Sequence, residues 1–362
     1  MRIAFFGSSL LSAYWNGAAT YYRGLIRALH ARGHNITFYE PDAYGRQEHR
    51  DIDEPEWARV SVFSAEGTDG ASRALEEAAG ADLIIKASGI GILDEWLERE
   101  VLSVKRTGAL VAFLDVDAPA TLDRLHHFPS DPFKELIPQY DLILTYGGGP
   151  PVVNGYESFQ ARTCVPIYNA LDPDTHFRVT PDPRFECDAA FLGNRLPDRE
   201  ARVDEFFFEA ARHAAGLNFI LGGSGWADKV MPSNVRYAGH IYTADHNAFN
   251  SSPAVVLNVH RESMARYGYS PATRMFEAAG SAACMITDAF QGLEEFLEPN
   301  REILIAHNGR EVAELTLSIT PSRARQIGEA ARQRILAKHT YAHRAAQLDS
   351  ILCGEVHHAY SA

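Results

Sequence analysis

Short runs of uninterrupted apolar residues, each followed by a helical pattern, constrain this chain more than any other feature. In the first half they are Ile3–Phe6, Ile36–Tyr39, Leu83–Lys86, Leu110–Leu114 and Leu142–Thr145. A strand that is apolar without alternation is covered on both faces, which is the condition of a parallel sheet sandwiched by helices. The stretch from about Ala18 to Arg32 repeats its apolar residues at three and four (Tyr22, Leu25, Ile26, Leu29) and runs into Gly33, which suits a left-handed helix end. The opening therefore predicts a βαβ unit.

A second series begins after a change of composition. Asn169 to Pro183 has prolines at 173, 181 and 183 and several aspartates without periodicity, a pattern expected of a linker with a preferred path. Beyond it come Ala189–Leu192, a helix Arg199–Ala215, Phe219–Leu221, Val235–Tyr237, Val255–Val259, a helix Thr273–Ala279, Cys284–Thr287, Ile303–Ile305, and helices Arg323–Lys338 and about Ala342–Leu352. The expected fold class is α/β, with two doubly wound Rossmann-like domains facing across a cleft. The expected boundaries are 1–168, a linker at 169–186, 187–340, and a closing helix at 341–362 that returns to the first domain. A length of 362 residues is compatible with two domains.

Composition removes several function classes. Hydrophobic residues make up 46% and charged residues 22%, values of an ordinary globular chain. Lys plus Arg number 34 against 47 Asp plus Glu, a net charge of −13 with no basic tract, so nucleic acid is not the expected partner. Cys164, Cys187, Cys284 and Cys353 are scattered without a CxxC. Together with a start too short for a secretory signal and no apolar stretch of about 20 residues, this gives an expectation of a reduced, cytoplasmic protein without a membrane span. Neither GxGxxG nor GxxxxGK[ST] occurs, which weakens hydride and P-loop chemistry.

The candidate site is expected at the carboxyl ends of the strands. Tyr269-Ser270-Pro271 precedes the helix carrying Arg274 and Glu277. Ser270 suits the cap and Pro271 the first turn, so the free N–H groups would meet a diphosphate, Arg274 would add a bidentate contact and Glu277 could accept both hydroxyls of a ribose. The plain alternative is a capped helix with a solvated Arg–Glu pair. Arg261 leaves the strand Val255–Val259 as a further cation, with Glu262 available to pair with it. Asn194 and Arg195 follow Gly193, and Gly222 and Gly223 follow Phe219–Leu221, where glycine permits close backbone approach. In the first half, Asp115 and Asp117 stand two apart at a strand exit and could share a face, Asp117 being the candidate base; alternatively one caps the next helix. No His or acidic cluster has metal-ligand spacing, and His126, His127, His339, His343, His357 and His358 read as surface residues.

At these residues the chain resembles glycosyltransferases of the GT-B fold, in particular the bacterial CgeB-like, spore-maturation-type group with a family-1-like C-terminal domain. The resemblance rests on Ile3–Gly7 with Trp15-Asn16-Gly17, Asp115–Pro119, Leu171-Asp172-Pro173, Leu192-Gly193-Asn194, Leu257–Val259 with Arg261, Gly268–Pro271, Arg274–Ala279, and Gly292-Leu293-Glu294 through Leu304. It implies a metal-independent hexosyl transfer from a nucleotide diphosphate-sugar, a co-substrate rather than a cofactor, to an acceptor that is a glycan, a protein or a small molecule. It also implies donor contacts by Gly7, Ser8, Asn16, Gly17, Asn194, Arg195, Gly222, Gly223, Gly239, His240, Ile241, Arg261, Tyr269, Ser270, Arg274 and Glu277. Gly239-His240-Ile241 would lie against the base, and Gly7 and Gly17 would face the phosphates. Two positions depart: the wider retaining group has an acid where this chain has Tyr269, and a Cys-Gly where it has Gly280-Ser281. A nucleotide-sugar epimerase and a non-catalytic nucleotide-sugar binding protein remain the alternatives.

Overall fold

The computed structural model describes residues 1–14 and 16–354. Residues 1–168 with the helix Tyr341–Leu352 pack as one compact unit, and Asn169–Thr340 as a second.

The first unit is built on seven parallel strands: β1 (Arg2–Phe6), β2 (Asn35–Asp42), β3 (Arg59–Ser64), β4 (Leu83–Ala87), β5 (Leu110–Asp115), β6 (Leu142–Thr145) and β7 (Cys164–Pro166), in the order β3-β2-β1-β4-β5-β6-β7. The order reverses between β1 and β4, whose register pairs Ile3 with Leu83. The five strands expected from apolar runs are all present. The two that were not expected, β3 and β7, are the sheet's edges: Arg-Val-Ser-Val-Phe-Ser is half exposed and alternating, and β7 is three residues ending in Pro166. An edge strand is not covered on both faces, so it lacks the continuous apolarity that reveals the interior ones. The helix Ala19–Ala31 packs Tyr22 edge-on to Phe5, which stacks on Phe38 at 5.2 Å. Gly33, at φ +89°, closes that helix. The helix Tyr341–Leu352 lies against it at Gly24, where a Cβ would stand 2.1 Å from the Tyr341 ring.

The second unit has six parallel strands: β8 (Ala189–Leu192), β9 (Phe219–Gly222), β10 (Val235–Gly239), β11 (Val255–Asn258), β12 (Met285–Asp288) and β13 (Leu304–Ala306), in the order β10-β9-β8-β11-β12-β13. All six were expected. The order reverses between β8 and β11, the position at which doubly wound sheets open a crevice for ligands. The core is aromatic, with Phe191, Phe207, Phe208, Phe219 and Trp226 fully buried. The helix expected at Arg199–Ala215 begins earlier and is broken: Pro197–Val203 and Glu209–His213 flank a π turn at Asp204–Phe208, which brings three consecutive phenylalanines into the core. The segment expected as a linker has its own packing within this unit. Leu171 N–H donates to His339 O at 2.8 Å, and Phe177 N–H to Asn247 Oδ1 at 3.1 Å.

Three further expectations are corrected. Asp115 and Asp117 do not share a strand face, because β5 ends at Asp115 and the chain turns. Asp115 is fully buried, accepting from Tyr156 Oη at 2.5 Å, Ser88 Oγ at 2.9 Å and Asp117 N–H at 3.0 Å. Ser270 is not a cap, since the helix starts at Thr273 behind Ala272, whose side chain has nothing to offer the free N–H groups. His339 is buried against Phe276 and Phe296, while His126, His127 and His343 are exposed as expected. Trp15, His357 and His358 lie outside the described residues. Among the described residues no helix is long and apolar enough to cross a membrane.

Candidate functional site

The residues at the β8/β11 reversal are organised around Arg274. Its helix, Thr273–Gly280, buries Met275, Phe276, Ala278 and Ala279, which turns Arg274 and Glu277 to the opposite face. Arg274 Nη1 reaches Asn258 Oδ1, at the end of β11, over 3.5 Å, and its guanidinium lies 5.0 Å above the Phe191 ring of β8. It therefore spans the crevice mouth. The Asn258 amide is oriented for this, because its Nδ2 donates to Thr287 Oγ1 at 3.0 Å while that hydroxyl donates to Asp288 O at 3.1 Å. Arg199 comes to the same point: an added Cβ on Gly193 would be 3.0 Å from Arg274 Nη2 and 3.2 Å from Arg199 Nη1. Two guanidiniums thus converge on a glycine that follows β8. Burial first, and then the charge of Arg199, push the Arg274 guanidinium down to about 9. Among the described residues no carboxylate lies within ion-pair distance of Arg274. At neutral pH it stays charged, with Glu277 and Asp288 acting on it only from beyond ion-pair distance.

The loops around it are fixed by backbone contacts. Gly193 O accepts from Trp226 Nε1 at 2.8 Å, and Ser224 N–H donates to Asn194 Oδ1 at 2.9 Å. Gly223, at φ +117°, would place a Cβ 2.3 Å from Gly193 O, so only glycine brings the turns after β8 and β9 this close. Gly222 packs on Ile241, and exposed His240 has Nδ1 3.4 Å from Ser224 Oγ. Arg195 is held by Glu200 at 2.7 Å and Asp228 at 2.9 Å, and Arg261 by Asp198 at 2.6 Å; Glu262 pairs with Arg202 at 3.1 Å. Tyr269 adopts φ +46°, its ring resting on Gly292, and Ser270 Oγ is buried without a hydrogen-bond partner. An orphaned hydroxyl and uncapped N–H groups therefore stand at the same helix start.

Three residues were not foreseen. Asp288 is fully buried and accepts from His260 Nδ1 at 2.8 Å and Arg202 Nη2 at 2.6 Å, and these partners outweigh burial to hold its carboxyl below the usual range. Beside Glu277 stand His176, from the expected linker, and His246, from the helix Thr243–Ser251: His176 Nε2 is 3.7 Å from Glu277 Oε1, and the imidazole centroids are 6.0 Å apart. Burial leads in lowering the His246 pKa. Their separation in sequence hides this grouping from any local spacing rule.

In the first unit Gly7 packs on the Phe38 ring, Ser8 Oγ donates to Asn16 Oδ1 at 2.8 Å, and Asn16 Nδ2 donates to Ser9 O at 2.8 Å and Ser12 O at 3.0 Å, while Gly17 is exposed. Asp117 is half-buried at the N-cap position of the helix Ala118–His127 without its side chain capping it.

These two parallel, doubly wound units define the class: Rossmann-like domains of the GT-B fold. A family described as glycosyl transferase-like matches residues 199–350. The chain is similar to sucrose-phosphate synthase from Thermosynechococcus elongatus, with 14% identity, 98% of this chain and 99% of that one covered, and a TM-score of 0.73. It is also similar to HepE from Anabaena, solved in complex with UDP-glucose, at 12% identity, 98% and 100% coverage and a TM-score of 0.64. An α-glucosyltransferase solved with UDP and a 13-mer DNA containing an HMU base aligns at 11% identity, 98% and 99% coverage and a TM-score of 0.69. Identities this low speak for a shared fold. No curated protein matches the chain in sequence.

Proposed function

We propose that this protein is a glycosyltransferase whose second unit holds a nucleoside diphosphate-sugar at the β8/β11 reversal. The observation that carries the reading is Arg274, a charged guanidinium without a carboxylate partner beside the uncapped start of its own helix. A diphosphate offsets that charge and accepts from those N–H groups. Arg199 lies on the same glycine, and Glu277 follows one turn on to accept from ribose hydroxyls. The turns at Gly222, Gly223 and Gly239–Ile241 border the nucleotide, with Asn194, Tyr269 and Ser270 at the rim. Arg195 and Arg261 act mainly by holding the loops through their ion pairs.

In the reaction the bond between the sugar C1 and the phosphate oxygen breaks, its electron pair leaving with the diphosphate. A bond from C1 to the acceptor oxygen forms, and the acceptor proton passes to a base, for which Asp117 is the proposed residue. Arg274 and the helix N–H groups stabilise the charge on the departing diphosphate, the work a divalent metal would otherwise do. Two of the similar structures carry UDP or UDP-glucose, which makes UDP the first nucleotide to test. The CgeB-like grouping, a hexose as the transferred sugar and a cytoplasmic location belong to the same proposal. The test is a thermal-shift panel of nucleoside diphosphates and their sugars, followed by donor hydrolysis or transfer with the best ligand. A raised melting temperature with at least one nucleotide and turnover of its sugar is expected; no shift across the panel overturns the reading.

A further inference from the structure

We propose that His176, His246 and Glu277 form a site for a transition-metal divalent cation such as Zn2+, and that the metal and the donor's ribose exclude one another there. The hydrogen bonds around the imidazoles assign their tautomers. Thr175 Oγ1 donates to Asp172 O at 3.2 Å, so the same oxygen, 3.0 Å from His176 Nδ1, accepts the proton of that nitrogen. Nε2 of His176 is left with a lone pair. His246 Nε2 lies 3.3 Å from Ile241 O, and a carbonyl only accepts, so Nε2 carries the proton and Nδ1 the lone pair. Both lone-pair nitrogens are buried and without a hydrogen-bond partner, and His176 is only 3% exposed.

Two imidazole lone pairs beside a carboxylate are three acceptors with no donor among them. That is a costly arrangement for buried polar atoms unless a cation or a ligand donor enters. Each side chain offers one ligand atom, and the three atoms lie within 4.8 Å of one another. Ligands about 2.1 Å from a tetrahedral Zn2+ are about 3.4 Å apart, close to the 3.7 Å between His176 Nε2 and Glu277 Oε1. The outer hydrogen bonds, one to a backbone carbonyl and one to a hydroxyl, are the supports that fix metal-binding histidines. Asn247 locks the turn that presents His176, its Nδ2 donating to Thr175 O at 3.0 Å and its Oδ1 accepting from Phe177 N–H. Mixed imidazole–carboxylate ligands favour Zn2+ or Cu2+ over Mg2+ or Ca2+. Glu277 remains partly open to solvent, leaving an entry and a fourth coordination position.

The exclusion half of this inference rests on the nucleotide reading, since Glu277 would serve both ligands; the metal half does not. The experiment titrates Zn2+ alone into the metal-free full-length protein by calorimetry, with the Co2+ absorption spectrum as a second probe of the unaltered chain. It then repeats the titration with His176→Asn and His246→Asn, folding being checked by circular dichroism. One Zn2+ per chain is expected, each variant weakening it by at least roughly tenfold, with a tetrahedral Co2+ spectrum. Absence of Zn2+ binding, or binding indifferent to both variants, overturns the inference. In the competition arm, saturating Zn2+ is expected to raise the Kd for UDP in the unaltered protein and not in His246→Asn. UDP and Zn2+ binding independently overturns the exclusion. If UDP binds under no condition while the Zn2+ results hold, the nucleotide reading fails and the metal site stands.

Discussion

Arg274 and Asn258 meet across the point where the second sheet reverses its strand order, Nη1 to Oδ1 at 3.5 Å, so the cation placed between β8 and β11 is held by a neutral amide. A residue kept for stability would be paired with a carboxylate.

That distinction gives the first prediction. The folded pKa of Arg274 lies below its unfolded value of 12.5, so the charged side chain costs stability at every pH below about 9, and the cost is relieved only as pH rises above that. Arg274→Gln is therefore expected to leave the ligand-free protein as stable as the unaltered chain, or about 1 kcal/mol more stable, between pH 6 and pH 8. Urea unfolding measures this; a loss of about 2 kcal/mol or more would mark Arg274 as structural.

Asp288 is expected to behave in the opposite way. Its carboxylate is fully buried between His260 and Arg202, and Asp288→Asn leaves Arg202 without its closest carboxylate, for an expected loss of about 3 kcal/mol. The folded pKa is depressed, so this stabilisation is present above the unfolded value of 3.8 and lost as pH falls through the folded value. Acid unfolding of the unaltered protein should show that limb below about pH 4 and the variant should lack it. Parallel acid limbs in the two proteins would refute the assignment.

Gly223→Ala tests the close approach of the turns after β8 and β9. Both φ +117° and a Cβ 2.3 Å from Gly193 O oppose the substitution, and backbone must move to admit it. A loss of about 3 kcal/mol is expected in urea unfolding. A loss under about 1 kcal/mol would show that these turns can separate freely.

Eleven of the strands were legible as apolar runs because both faces of each are covered. The edges β3 and β7 were not, since half-exposed Arg59–Ser64 and three-residue Cys164–Pro166 carry no such signal. At the site, Arg274 and Glu277 could be read from one helix, whose spacing puts them on a common face. His176 and His246 could not, because only the docking of the proline-rich segment against the helix Thr243–Ser251 brings them to Glu277. Asp115 misled for a local reason: a carboxylate at a strand exit looks like a site residue, but the turn after β5 folds it under Ser88 and Tyr156. Ser270 misled because Ser before Pro resembles a cap, whereas the helix starts three residues later.

The central claim is that Arg274 binds a nucleoside diphosphate, and calorimetric titration of UDP into the unaltered protein and Arg274→Gln tests it most directly. The account predicts saturable binding to the unaltered chain and a Kd raised at least roughly tenfold in the variant, with the fold retained. Equal affinities in the two proteins would contradict it.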